Sequence, residues 1–89
     1  MITVIDMTIR VRFFSTLAEK IGTREMFIEY KPGMTIRDIA EKLSTRFPQL
    51  IELIKNGEVL TSRNYVYASL DDEVDDGDEI AFMPPASGG

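Results

Sequence analysis

Residues 76–89 read DGDEIAFMPPASGG, a run that begins as a strand and ends as a tail. Ile80 and Phe82 occupy alternate positions, which is the period-two pattern of a half-buried strand. Pro84 and Pro85 follow at once. Because proline has no backbone N–H to donate, we expect the sheet ladder to stop at Pro84. The chain therefore ends in a strand followed by a short segment outside the sheet.

The segment after the strand, residues 84–89, has the composition of a protruding, flexible tail. Consecutive prolines favour the extended polyproline conformation, which holds the following residues away from the body of the protein. Gly88 and Gly89 lack a Cβ, so the tail can enter a narrow channel and a reagent can approach the Gly89 carbonyl with little steric hindrance. A terminal Gly-Gly also occurs where a chain end is merely disordered. The strand and the proline pair before it favour presentation of the C-terminal carboxylate.

An acidic segment precedes the last strand. Its carboxylates are Asp71, Asp72, Glu73, Asp75, Asp76, Asp78 and Glu79. A calcium-binding EF-hand loop needs oxygen ligands at alternating positions with glycine sixth, and counting back from Gly77 places Val74 where a ligand is required. We therefore predict no metal site here. A solvated turn is the simplest interpretation, with attraction to a basic partner as a second role.

Alternation near the N-terminus predicts two further strands. Apolar residues occupy every second position over residues 8–13, which gives that strand one apolar and one charged face, and Met26, Ile28 and Tyr30 alternate in the same way over residues 25–30. Between them, Ser15 is expected to cap a short helix that ends at Gly22, a glycine suited to a left-handed C-terminal position. Residues 1–6 either extend the first strand or fray.

A longer amphipathic helix is predicted after the turn at residues 31–33. Thr35 followed by Asp38 resembles a capping box at its start. Pro48 marks its end. The apolar positions keep helical spacing and form one stripe, which we assign to the core: Ile36, Ile39, Ala40, Leu43 and Phe47.

The segment between the long helix and the last strand is less regular. Residues 50–54 form either a helical turn or a strand, because periodicity cannot separate the two over so short a run. Asn56-Gly57 marks a turn, and residues 65–68 are the next strand candidate. The order strand, strand, long helix, strands is typical of α+β folds in which a helix packs on one sheet face.

Composition limits the possible functions. The 89 residues, 44% of them hydrophobic, are enough for one domain with one core, residues 1–89. Without cysteine or histidine, the chain offers no disulfide, thiol nucleophile, iron–sulfur ligand or imidazole base. The net charge of −5 disfavours nucleic-acid binding, which needs a basic footprint, and favours a basic protein partner. The N-terminal residues predict neither a signal peptide nor a membrane-spanning helix, so we expect a cytoplasmic protein.

Residues 76–89 closely resemble the C-terminus of the small, sulfur-carrying subunit of molybdopterin synthase, a ubiquitin-like family. The resemblance covers residues 7–89 and is strong again at Arg12-Phe13-Phe14. It is weaker at residues 69–72, where family members often carry an Asn-Gly turn, and this departure leaves partner contacts there open. The resemblance implies an α+β, β-grasp fold with a mixed sheet, in which the first and last strands run parallel, side by side, in the middle of the sheet.

Strand parity then predicts a partner surface. If the apolar residues of the first strand face the core, Phe14 falls out of phase, and Met83 falls out of phase with Ile80 and Phe82. If the first and last strands are neighbours in the sheet, Phe14 and Met83 would form an exposed apolar patch near the exit of the tail. Such a patch is typical of a partner-binding surface. The matching family positions contact protein partners. Alternatively, the short helix or residues 1–6 fold over this patch.

The resemblance also implies a function. A ubiquitin-activating-type adenylating enzyme uses Mg-ATP to convert the Gly89 carboxylate into an acyl-adenylate, and a sulfur donor then replaces AMP to leave a thiocarboxylate. The tail enters the active site of the large catalytic subunit of molybdopterin synthase and gives its sulfur to cyclic pyranopterin monophosphate. The chain itself is expected to bind no cofactor. The residues implied to insert with Gly89 are Pro84, Pro85, Ala86, Ser87 and Gly88.

Other functions share this tail. In a ubiquitin-like modifier the activated Gly89 acylates a lysine amine, and related carriers deliver sulfur for tRNA thiolation or thiamine. A third hypothesis is a binding domain whose Gly-Gly is incidental. The sequence around Met83, with its two following prolines, favours the molybdopterin type over the thiamine type.

Overall fold

A computed structural model describes residues 7–85 of the chain. The elements are β1 Thr8–Phe13, α1 Thr16–Ile21, β2 Glu25–Glu29, α2 Ile36–Leu43, α3 Leu50–Lys55, β3 Leu60–Arg63, β4 Val66–Tyr67 and β5 Glu79–Met83. The question of whether residues 1–6 extend the first strand lies outside the described residues.

The five strands form one mixed sheet in the order β2-β1-β5-β3-β4. The first and last strands, β1 and β5, run parallel, with Val11 beside Ile80 and Phe13 beside Phe82. The other neighbours are antiparallel. This is the β-grasp arrangement, so the predicted fold class and the central placement of β1 and β5 are confirmed.

The core lies between one face of the sheet and the helices. Ile9, Val11 and Phe13 of β1 are at most 2% exposed, and Ile80 and Phe82 of β5 are fully buried. The Phe13 and Phe82 rings stack with centroids 6.1 Å apart. The residues of the predicted apolar stripe are buried in the same core: Ile36, Ile39, Ala40, Leu43 and Phe47. The helix itself ends at Leu43, earlier than Pro48 predicted, so Phe47 lies beyond it. The opposite face of the sheet carries no helix among the described elements, and we call it the open face.

The predicted capping box begins α2. The Thr35 side chain accepts a hydrogen bond from the Asp38 N–H, and the Asp38 carboxylate accepts one from the Thr35 N–H at 2.9 Å. These bonds satisfy backbone donors that have no partner inside the helix. Aspartate therefore performs here the role that glutamate or glutamine usually performs.

At α1 the prediction was partly wrong. Ser15 stands at the N-cap position, but its side chain makes no capping hydrogen bond, and its φ of 58° is in the left-handed region. The backbone turns sharply there because Phe14 still donates its N–H to Phe82 while α1 begins at Thr16. Gly22 does end α1 in the left-handed conformation, with φ of 93°.

The middle of the chain required tertiary information. Residues 50–54 belong to helix α3, which resolves the ambiguity of that run. Strand β3, Leu60–Arg63, was not predicted, and the strand candidate at residues 65–68 shrinks to β4, Val66–Tyr67. Leu60 and Ser62 face away from the core with Met83 and Ala81, so β3 has no clean alternation of polar and apolar residues.

No helix within residues 7–85 has both the length and the apolar character required to cross a bilayer.

Candidate functional site

The exit of β5 defines one end of the candidate site. Met83, the last residue of β5, and Pro84 are half-buried, and Pro85 is exposed. Strand pairing ends at Met83, as the proline pair predicted. The remaining residues implied for the tail lie outside the described part of the chain, and their roles stay predictions: Ala86, Ser87, Gly88 and Gly89.

A groove of about 860 Å³ lies on the open face directly beside this exit. Phe14, which is 38% exposed, and Met83 both line it, together with Pro84 and Pro85. Phe14 and Met83 therefore lie on one surface, as strand parity predicted, and α1 leaves Phe14 exposed. The alternative that residues 1–6 fold over this surface lies outside the described residues. The role of Phe14 and Met83 in partner binding is not tested by this geometry.

Small residues form the floor of the groove and large ones form its walls. Ala81 and Ser62 are paired across β5 and β3 and are 4% and 6% exposed. Leu60 lies beside Met83, its cross-strand partner, and both line the groove. Because the side chain of Ala81 is only a methyl group, the larger side chains around it rise above it. The surface is therefore concave and largely apolar. Such a surface fits an apolar projection of a partner.

A strip of charged side chains, Arg10, Arg12, Glu25 and Glu79, borders the groove on the open face. Arg10 Nε lies 2.9 Å from Glu25 Oε1, and Arg10 Nη1 lies 3.4 Å from Glu79 Oε1. The hydrogen bond from Arg10 holds the pKa of the Glu25 carboxyl below its ordinary value. Arg12 lies 3.6 Å from Glu79 Oε2, and its guanidinium is 5.0 Å from the Phe14 ring centroid. Arg12 therefore joins the charged strip to the apolar groove.

The β3–β4 hairpin supplies the far wall of the groove, with Tyr65 from its turn and Tyr67 from β4. Both are among the most exposed large side chains, at 78% and 73%. Asn64 and Tyr65 have φ of 50° and 71°, the conformation of the two central residues in a tight hairpin. Sequence reasoning placed residues 65–68 in a strand but did not assign Tyr65 or Tyr67 to the site, because β3 and its register were missing.

Asp78 holds this hairpin onto the start of β5. Its carboxylate accepts hydrogen bonds from Arg63 Nε at 2.6 Å, Asn64 Nδ2 at 2.9 Å and the Asp75 N–H at 2.7 Å. Burial alone would raise the pKa of Asp78, but the three donors together outweigh it, so the pKa lies below its ordinary value. The hairpin beside the groove is therefore hydrogen-bonded to the residue that precedes β5.

The acidic segment is largely exposed, as predicted for a solvated turn, and three of its carboxylates also make contacts within the chain. Asp71 pairs with Arg37 at 2.9 Å, and Asp75 pairs with Arg63 at 2.9 Å. Asp76 accepts the N–H of Thr8 at 3.0 Å. Within residues 7–85 no group of three or more carboxylates is arranged to hold a metal ion. Asp71, Asp75 and Asp76 thus connect this segment to α2, β3 and β1, respectively.

Comparisons with known proteins point to one family. The molybdopterin synthase sulfur carrier subunit of Escherichia coli is 32% identical over 83 residues, which cover 91% of this chain and 99% of that protein. Small archaeal modifier protein 3 of Haloferax volcanii is 29% identical over 92 residues, covering 93% of this chain and all of that protein. The chain thus matches both sulfur carriers and protein modifiers along nearly its whole length.

Solved structures agree. A putative molybdopterin converting factor subunit 1 from Pyrococcus furiosus has a TM-score of 0.76 at 27% identity, with 89% of this chain and 98% of that chain covered. The structure of a complex of subunits 1 and 2 of molybdopterin-converting factor from Helicobacter pylori matches with a TM-score of 0.65 at 25% identity, covering 93% and 100%. The profile of the ThiS family matches residues 11–89, so the chain belongs to the ThiS family.

Proposed function

We propose that this chain is a sulfur carrier and acts as the small subunit of a molybdopterin synthase. The observation that supports it best is the continuity of three features: the buried central strand β5, the proline pair that ends it, and the groove beside the exit. The ThiS family match continues through this exit to residue 89. β5 sets the position at which Pro84 leaves the sheet, and the groove beside this exit offers a partner an apolar contact.

The reacting group is the Gly89 carboxylate. A carboxylate resists nucleophilic attack because of its charge and resonance, so it must first be activated. One carboxylate oxygen attacks the α-phosphate of Mg-ATP, pyrophosphate leaves, and an acyl-adenylate forms on Gly89. A sulfur donor then displaces AMP and leaves a thiocarboxylate. Glycine at this position keeps the carbonyl open to both attacks.

We assign the activation step to a partner, because the Gly89 carboxylate is the attacking group and needs a separate site that binds Mg-ATP. We propose an adenylating enzyme of the ubiquitin-activating type for it. That enzyme would bind Mg-ATP, whereas the carrier would supply only the carboxylate.

The acceptor step belongs to a second partner, the large catalytic subunit. Its proposed docking surface is the groove that contains Phe14 and Met83, with Ala81 at its floor. In support, a structural relative was solved as a complex of subunits 1 and 2 of molybdopterin-converting factor. With the groove occupied, the tail would enter the active site, and its thiocarboxylate sulfur would form a bond to a carbon of cyclic pyranopterin monophosphate while a C–O bond at that carbon breaks and its oxygen group leaves. Hydrolysis of the remaining acyl–sulfur bond would return the Gly89 carboxylate.

The test is the intact mass of the chain purified gently from its native cell, with and without a sulfur-reactive alkylating reagent. We expect a species heavier by one oxygen-to-sulfur exchange, localised to Gly89 and consumed by the reagent. The same preparation should convert cyclic pyranopterin monophosphate when the large subunit is added. A chain that carries only the carboxylate, in cells that make molybdopterin, would contradict the proposal.

A second function, a ubiquitin-like modifier, is favoured by the match to small archaeal modifier protein 3. In that case the activated Gly89 acylates a lysine amine of another protein. Peptide mass spectrometry would then find Gly-Gly remnants on lysines, and these remnants would disappear when the gene for this chain is deleted. Remnants without any thiocarboxylate would replace the carrier proposal with the modifier.

A further inference from the structure

The β3–β4 hairpin exposes three large side chains in succession. Tyr65, Val66 and Tyr67 are 78%, 69% and 73% exposed, at the outer edge of the sheet. We call residues 65–67 the hairpin tip. Contiguous apolar surface of this kind is rare on a protein without partners, and it promotes aggregation at a sheet edge unless another molecule covers it.

The hairpin tip is apolar on both faces of the sheet. Tyr67 pairs with Ser62, whose β5 neighbour is Ala81, so Tyr67 stands on the open face beside the groove. Val66 pairs with Arg63, whose β5 neighbour is Ile80, so Val66 stands on the opposite face. A partner that only lies flat on the open face would cover Tyr67 and leave Val66 in water.

The hairpin tip is held in place and does not owe its exposure to loose structure. Asn64 donates its N–H to the Glu79 carbonyl at 2.8 Å, and its side-chain oxygen accepts the Glu79 N–H at 2.9 Å. Tyr65 keeps a left-handed φ of 71°, although glycine is the usual residue at this turn position. A strained, exposed aromatic residue that is fixed by its surroundings is typical of a functional position.

On the Val66 side, a hollow of about 360 Å³ opens beside the acidic segment, lined in part by Val66, Arg63, Asp72 and Glu73. Arg63 is already occupied by Asp75 and Asp78. Within residues 7–85, neither Asp72 nor Glu73 takes part in an ion pair, and both are exposed. This hollow therefore combines an uncovered apolar side chain with two carboxylates that lack a cation.

We propose that the partner surface continues around the sheet edge, so that the large synthase subunit encloses the hairpin tip on both faces. It covers Val66 with apolar side chains and places a basic side chain next to Glu73 and Asp72. This inference rests on the proposed function for the identity of the partner. Continuity with the groove and charge complementarity at the hollow support it.

The test is the affinity of the full-length chain for the large synthase subunit encoded in the same genome, measured by titration calorimetry at low and high salt. Val66→Ser should weaken binding about tenfold, because burial of an apolar side chain is lost. Val66→Thr, which keeps the β-branched shape, should weaken it in the same direction. Glu73→Gln should weaken binding roughly two- to fivefold at low salt and much less at high salt.

Matched controls come from the same chain. Phe27→Ser removes a side chain that is 62% exposed on β2 at the opposite edge, and Glu58→Gln removes an exposed carboxylate beyond α3. Both should leave the affinity unchanged, and all variants should keep the wild-type thermal unfolding midpoint.

Two outcomes separate this inference from the proposed function. If Met83→Ser weakens binding while Val66→Ser, Val66→Thr and Glu73→Gln do not, the partner stops at the open face and the inference is overturned, although the proposed function stands. If the wild-type chain does not bind the large subunit at all, the proposed function fails and the inference fails with it.

Discussion

Asp78 connects the hairpin, the acidic segment and β5 through one nearly buried carboxylate. Asp78→Asn keeps the shape of the side chain but removes the charge that Arg63 and the Asp75 N–H stabilise. We expect the free energy of unfolding at pH 7 to fall by about 2 kcal/mol, since hydrogen bonds to charged groups are the stronger class. Urea denaturation of the two proteins measures this difference. A loss below a few tenths of a kcal/mol would mean that the network is not coupled to stability.

The same carboxyl predicts how stability depends on pH. The pKa of Asp78 is lower in the folded protein than its ordinary value, so the folded state favours the ionised form. Its contribution is complete above the ordinary pKa of about 4 and is lost as the pH falls through the folded pKa. Between neutral pH and about pH 3, the wild-type chain should therefore lose more stability than Asp78→Asn. Parallel pH profiles for both proteins would contradict the assignment.

Thr61 presents the opposite situation, a buried polar atom without a partner. Its side chain is 3% exposed, and Oγ1 accepts and donates no hydrogen bond among the described residues. Because an unpaired buried hydroxyl is unfavourable, Thr61→Val should raise the free energy of unfolding by about 1 kcal/mol. Denaturant titration with an unchanged slope would identify this as a stability effect. A destabilised variant would indicate that an ordered water already satisfies the hydroxyl.

At the scale of elements, the residue expected to give the β3–β4 hairpin the highest stability differs from the residue expected to bind the partner. Tyr65 has a left-handed φ, and glycine is the residue preferred in that conformation, so Tyr65→Gly introduces the preferred residue. We expect stability to rise by a fraction of a kcal/mol up to about 1 kcal/mol, because relief of strain exceeds the extra backbone entropy of glycine. Binding to the large synthase subunit should weaken at the same time, because the aromatic wall of the groove is removed. A variant with unchanged affinity would show that Tyr65 does not contact the partner.

Elements whose pattern is local were predictable, and those whose pattern depends on the sheet were not. Helix α2 carries its own cap and its own apolar stripe, so the sequence identified it without reference to the rest of the chain. Strand β3 has buried Thr61 and Ser62 on opposite faces, so no alternation marks it. Its position becomes clear only when β5 lies beside it.

At the scale of the molecule, the proposed function needs a free carboxylate on Gly89. Adding one alanine after Gly89 moves the carboxylate by about 3.5 Å and places a Cβ beside the carbonyl. We expect no thiocarboxylate on this variant and no sulfur transfer, with an unchanged thermal unfolding midpoint. Intact-mass analysis provides the measurement, and the same alanine added before Met1 provides the control. Full activity of the extended chain would support the hypothesis that the Gly-Gly is incidental.

The sequence alone determined the features that act locally: the proline stop after Met83, the Gly-Gly end, the cap at Thr35 and the lack of catalytic cysteine or histidine. Only the tertiary structure decided where the groove lies and what lines it. Phe14, Leu60 and Tyr67 come from distant parts of the chain and meet because β5 inserts between β1 and β3. Local patterns follow from the geometry of residues that are neighbours in the sequence. A binding surface depends instead on strand order and register, which are determined by how the whole core packs.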